Sequence, residues 1–147
     1  MCARVLQIAL AATLPLVPLS AVRGQAEDPV LNRQLIMQAI EDDSDALGDI
    51  AAGITPPAKM AEHARNLAQH AKESYESFKP NGPGGSAKPE VWFNWADYSK
   101  RMEAFVANSE KMAKVAETGN VSAVTELMVD AMPCKSCHDV YRTKKAS

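Results

Sequence analysis

VSAVTELMVDAMPCKSCHDVYR, residues 121–142, decides how the chain must fold. Val121, Val124, Leu127, Met128 and Ala131 recur at helical spacing, and Asn120 ahead of them is a good N-cap. The same stretch carries Cys134, Lys135, Ser136, Cys137 and His138, a C-x-x-C-H pattern. Residues three apart on a helix share a face. Both thiols can therefore meet the two vinyl groups along one edge of a porphyrin, and His138 lies beneath the ring with an imidazole nitrogen for the iron. A redox dithiol would want a βαβ context, and a structural zinc site four ligands. The chain has no strand pattern, and its other cysteine is Cys2. The spacing thus points to one covalently attached haem c. Pro133 conflicts with an unbroken helix and predicts a kink or break around Val129 to Met132.

Upstream, the remaining helices follow from the same period. Asp28 is a good N-cap and Pro29 suits the first helical position, so a first helix runs from about Pro29 to Asp49. Arg33, Met37, Ile40, Ser44 and Leu47 form one stripe on it, widened by Leu31, Leu35, Ile36 and Ala39. The acidic run Glu41, Asp42, Asp43 and Asp45 reads as a solvated surface. Thr55-Pro56 opens a second helix whose inward stripe is Met60, Ala64, Leu67, Ala71, Tyr75 and Phe78, with Ala61 and Ala68 allowing close approach. His63 and His70 lie on the edge of that stripe and read as partly buried boundary residues. Lys79 to Pro89, rich in proline and glycine, reads as a connection without chemistry. A third helix begins near Pro89 or Glu90, carries Val91, Trp95, Tyr98, Met102, Phe105, Met112 and Ala116, and ends at Gly119. Short connections between amphipathic helices predict an all-α protein, an antiparallel four-helix bundle holding the haem.

Length and composition fit one domain of 147 residues. Residues 1–26 read as a secretory signal peptide: Arg4 supplies positive charge, Val5 to Leu19 is largely apolar, and Gly24-Gln25-Ala26 is a plausible cleavage site. The run is too short for a membrane span and contains two prolines. Residues 27–147 would then be the mature chain, keeping all 18 acidic and 14 of the 16 basic residues, a formal charge of −4. No basic stripe or aromatic platform invites nucleic acid. Export predicts a periplasmic location, where c-type haem is attached.

Four helices with C-K-S-C-H on the last resemble the cytochrome c′ family, the class II c-type cytochromes. R-Q-L-I-M at Arg33 to Met37, K-P-E-V-W at Lys88 to Trp92 and C-K-S-C-H-D-V-Y-R at Cys134 to Arg142 carry the likeness. The resemblance implies a haem inside the bundle, with Cys134 and Cys137 as its covalent attachments and His138 as the proximal ligand. It also implies that Arg33 contacts a haem propionate, that Trp92 packs near the haem, and that Arg142 stands near the proximal histidine. Met37 matches the position facing the distal side of the iron. A methionine there resembles the low-spin branch of the family, and His/Met ligation suits electron transfer.

The expected function is accordingly a periplasmic one-electron carrier, not an enzyme, served by redox partner proteins. Family members are often dimers, so a homodimer is a further possible partner. The alternative is a five-coordinate protein that binds or buffers nitric oxide or another small gas, with Met37 as core packing. A peroxidase would want polar acid-base groups on the distal side, and Gln34, Gln38 and Ser44 offer little of that.

Overall fold

The computed structural model describes residues 28–79 and 82–144. The leader expected at residues 1–26 lies outside them. The described residues form α1 (Pro29–Ala51), α2 (Met60–Phe78), α3 (Glu90–Phe93), α4 (Trp95–Ala116), α5 (Val121–Ala131) and α6 (Cys134–Tyr141), with a short 3-10 turn at Pro57–Lys59 before α2. No strand occurs among them; two isolated bridges join Gly84 to Ala87 and Ala87 to Arg142. α1 packs on α2, α2 on α4, α4 on α5, and α5 returns to α1, giving the expected four-helix bundle. No helix among the described residues is long and apolar enough to cross a membrane.

Local chemistry sets the ends. The Asp28 carboxylate accepts from the Val30 N–H at 2.8 Å, taking one of the donors a helix start leaves without a partner. Gly119 adopts φ +75° between α4 and α5, a conformation that side chains resist. The Asn120 side chain then accepts from the Ala123 N–H at 3.0 Å to open α5. Pro133 separates α5 from α6 as expected, since it has no N–H to donate. The carbonyls this break strands are collected from α4: Asn108 Nδ2 donates to the Asp130 carbonyl at 3.0 Å, and the buried Ser109 hydroxyl reaches that of Ala131.

Three sequence expectations need correction. The third helix is broken at Asn94 (φ −115°, ψ 46°), which divides α3 from α4. Thr55 does not cap α2, which begins only after the 3-10 turn. Asp43 is buried rather than solvated. Its carboxylate bridges two histidines of α2, meeting His63 Nδ1 at 2.9 Å and His70 Nδ1 at 3.1 Å. A carboxylate can leave water only if its lone pairs are used, and these two imidazoles use them.

The apolar interior falls into two clusters. The larger contains Ile40, Leu47, Met60, Leu67, Met112 and Val124. The smaller, at the end of the bundle that carries α6, is Phe78, Val91, Tyr98, Met102 and Tyr141. Leu47, Leu67 and Met112 are fully buried, and truncating any of them to alanine would cost about 2–5 kcal/mol. Met37 is half-buried and packs against both clusters.

Candidate haem site

α6 brings Cys137 to the smaller cluster, with Cys134 and His138 beside it on the same helix. Cys134 is exposed; Cys137 is half-buried and packs on that cluster. Both thiols are free, and partial loss of water around each sulfur, although the Cys134 residue as a whole is exposed, pushes both up. Burial, helped by the nearby positive charge of Arg142, lowers the His138 imidazole, leaving it neutral with a lone pair to donate.

A helix of eight residues needs outside support, and the 82–97 segment supplies it. The Lys88 N–H donates to the Tyr141 carbonyl at 2.9 Å, and the Thr143 N–H to that of Ser86 at 2.8 Å. Tyr141 donates its hydroxyl proton to Asp97 at 2.7 Å and stacks edge-on against Tyr98, with ring centres 5.1 Å apart. The connection read as chemically blank therefore anchors the motif. It also receives Arg33, whose Nη2 donates to the Gly82 carbonyl at 2.6 Å.

Arg33 is the most informative side chain of the site. It is 4 % exposed, yet its Nη1 has no hydrogen-bond partner. Its guanidinium carbon lies 5.1 Å from the Phe78 ring centre and 5.6 Å from that of Trp92. The rings offer the cation their faces but supply no anion. Burial lowers the Arg33 pKa, and an unpaired N–H on a buried cation asks for an acceptor. A haem propionate is such an acceptor, so the residues present fit the group. Trp92 does line this corner, but its indole N–H is already spent on the Phe78 carbonyl at 3.1 Å. Arg142 is exposed and joins the site through its backbone bridge to Ala87.

The structure thus gathers Cys137, Arg33, Met37 and Trp92 around one cluster, with Cys134 and His138 on its α6 rim. Sequence reading missed Gly82, Asp97 and Tyr141 as supports, and it placed Tyr75 in the α2 stripe. Ser74 is the residue completely buried there; Tyr75 is half-buried and donates outward to Glu103 at 3.0 Å.

A family model described as "Cytochrome C'" matches residues 28–142, nearly everything described. The chain belongs to the cytochrome c′ family. Cytochrome c′ of Alcaligenes xylosoxydans xylosoxydans is 28 % identical over 125 residues, which are 83 % of this chain and 98 % of that one. Among solved structures, the nitric oxide complex of a leucine-to-alanine variant of cytochrome c prime from Alcaligenes xylosoxidans aligns with TM-score 0.75 at 28 % identity. That alignment covers 81 % of this chain and 96 % of that one. A carbon-monoxide-bound leucine-to-glycine variant from the same organism aligns with TM-score 0.75 at 27 % identity, covering 82 % and 98 %.

Cytochrome c′ proteins carry one covalently attached haem c, so the cofactor read from C-K-S-C-H stands. They are haem proteins rather than classic enzymes. The methionine-ligated branch is not supported, because cytochromes c′ are typically five-coordinate at iron. The His/Met electron carrier is for the same reason the weaker of the two functional expectations.

Proposed function

We propose that this protein is an exported haem c protein that binds a small neutral gas such as nitric oxide or carbon monoxide. The observation that carries this reading is the similarity, over 81 % of this chain and 96 % of that one, to a cytochrome c′ whose variants have been solved with nitric oxide or carbon monoxide bound. When bound, the haem supplies an iron with a coordination position for a diatomic ligand. The chain's residues do the rest. Cys134 and Cys137 would hold the porphyrin edge, His138 would give its imidazole to the iron, and Arg33 would offer Nη1 to a propionate. Met37, packed against the cluster that contains Phe78, would give the side away from His138 an apolar lining that favours an uncharged diatomic.

One feature favours a second reading, the electron carrier. Met37 lies one turn beyond Arg33 and touches the same cluster as Cys137, and a thioether there is a competent sixth ligand. Absorption spectra of the ferrous protein with and without carbon monoxide decide between them. A high-spin ferrous spectrum that converts fully on adding carbon monoxide is expected. A low-spin spectrum unchanged by carbon monoxide would establish the carrier, with redox partner proteins as its clients. Leu31 and Leu35, 51 % and 61 % exposed, form an apolar row on α1 that suits a second copy of the chain, and light scattering of the haem-loaded protein tests that dimer.

A further inference from the structure

The contacts between α1 and α2 fix their antiparallel register. Arg33 lies against Phe78, 5.1 Å from guanidinium carbon to ring centre, and ten residues along α1 Asp43 reaches His70 at 3.1 Å. Ten residues forward along α1 thus correspond to eight residues back along α2. Met37, one turn beyond Arg33, is thereby brought close to the level of Ser74, one turn before Phe78.

Ser74 is completely buried, and its hydroxyl oxygen has no hydrogen-bond partner. That is not how serines behave elsewhere in this bundle. Ser109 is equally buried, and its hydroxyl donates to the Phe105 carbonyl one turn back at 2.7 Å. Ser44 does the same to Ile40 at 2.6 Å. Back-bonding of this kind is the ordinary resting place of a helical hydroxyl, and forgoing it leaves a desolvated donor. Among the described residues, only Arg33 Nη1 and Ser74 Oγ are buried side-chain polar atoms without a partner. They occupy consecutive turns of one seam. The cationic one suits an anionic rim group; the neutral one suits a neutral ligand.

We propose that Ser74 is the hydrogen-bond donor of the Met37 side of the haem pocket, its hydroxyl directed to a diatomic gas held there. This rests on the gas-binding reading and adds a specificity residue to it. A pocket walled only by Met37 and Phe78 would select by size and neutrality, whereas a single donor also rewards a ligand that carries partial negative charge on its outer atom.

The test uses the haem-loaded ferrous protein with carbon monoxide as probe, read by the infrared C–O stretch and by the dissociation rate. Ser74→Ala is expected to move the stretch to higher wavenumber. It should also speed dissociation about five-fold, equivalent to ~1 kcal/mol at about 1.4 kcal/mol per tenfold. Ser109→Ala, which loses a hydroxyl already engaged by a carbonyl, should change neither. If Ser74→Ala loads haem and keeps the wild-type stretch and rate, the Ser74 assignment is overturned and gas binding stands. If the wild-type protein forms no carbon monoxide adduct, the gas-binding reading fails and the Ser74 assignment falls with it, an outcome the spectrum reports before any variant is made. Should the alanine variant not load haem, Ser74→Gly removes the same hydroxyl and is judged by the same two readings.

Discussion

At the turn of α1 that holds Asp43 the polar groups close on one another, whereas about three turns earlier, at Arg33, they do not. Asp43 gives one carboxylate oxygen to His63 and the other to His70. At the α6 end of the same seam, Arg33 Nη1 and Ser74 Oγ are buried without partners. Both regions are helix-on-helix packing of the same two elements, so propensity and pattern do not distinguish them. The difference lies in who must supply the partner. Far from the C-x-x-C-H segment the chain has to satisfy its own buried groups. Near it, the folded chain leaves donors that a porphyrin with carboxylate side chains and a gas ligand can take up.

The strongest way to break this comparison is to remove the covalent link. Replacing Cys134 and Cys137 together by alanine should abolish haem retention through denaturing electrophoresis, which a haem stain reads directly. Next in size is Asp43→Ala, expected to lower stability by about 2–3 kcal/mol, because two imidazole donors lose one buried charged acceptor. A denaturant midpoint equal to wild type would mean that the paired region is not holding α1 to α2. Arg33→Leu sharpens the contrast from the other side. In the haem-loaded protein it should cost about 2 kcal/mol, the worth of a hydrogen bond to a charged group. It should also move the reduction midpoint negative, since a buried positive charge favours the electron-richer ferrous state. An unchanged midpoint potential would remove the propionate role.

The smallest effect concerns pH at the α6 support. Burial, and the Asp97 carboxylate that accepts its proton, push the Tyr141 hydroxyl up to about 12. A group whose folded pKa is raised stabilises the fold below its unfolded value, ~10 for tyrosine, and that contribution is lost as pH climbs towards the folded value. The Tyr141 hydrogen bond, then Arg101, hold Asp97 below the usual carboxylate range. Its contribution is present above about pH 4 and is lost as pH falls through the depressed value. Tyr141→Phe should flatten the alkaline decline between about pH 10 and 12 and weaken the acid one. Thermal melts across pH check both arms. A melt profile parallel to wild type would show that Asp97 and Tyr141 do not cooperate.

Much of this was legible in the sequence where a local rule acts alone. Asp28-Pro29, Gly119-Asn120 and Pro133 each impose a backbone consequence within a few residues, and each boundary falls where its chemistry puts it. Reading failed where the deciding contact is remote. Period alone could not choose between Ser74 and Tyr75, or between Asp43 and Ser44, because adjacent residues on a helix differ by 100° and the neighbouring helix decides which turns in. Asp43 reads as surface because its acidic neighbours are, and its two histidines are 20 and 27 residues away. Period puts Arg33 on the inward stripe of α1, but its haem role follows only from the family likeness. Its contact with Gly82, 49 residues on, carries no mark in the local pattern.

The shortness of α6 bears on how the holoprotein is assembled. Eight residues behind a proline, with no side-chain N-cap bond, cannot sustain a helix in water by themselves. The strip bearing the two thiols is therefore ordered by the 82–97 segment that docks on it, and an attached porphyrin would hold its other side. Before the porphyrin arrives, that strip is the part of the molecule most easily peeled away while the other helices stay packed. An attachment enzyme could thus handle a loose flap, and joining the pigment would become the step that locks the bundle's last corner.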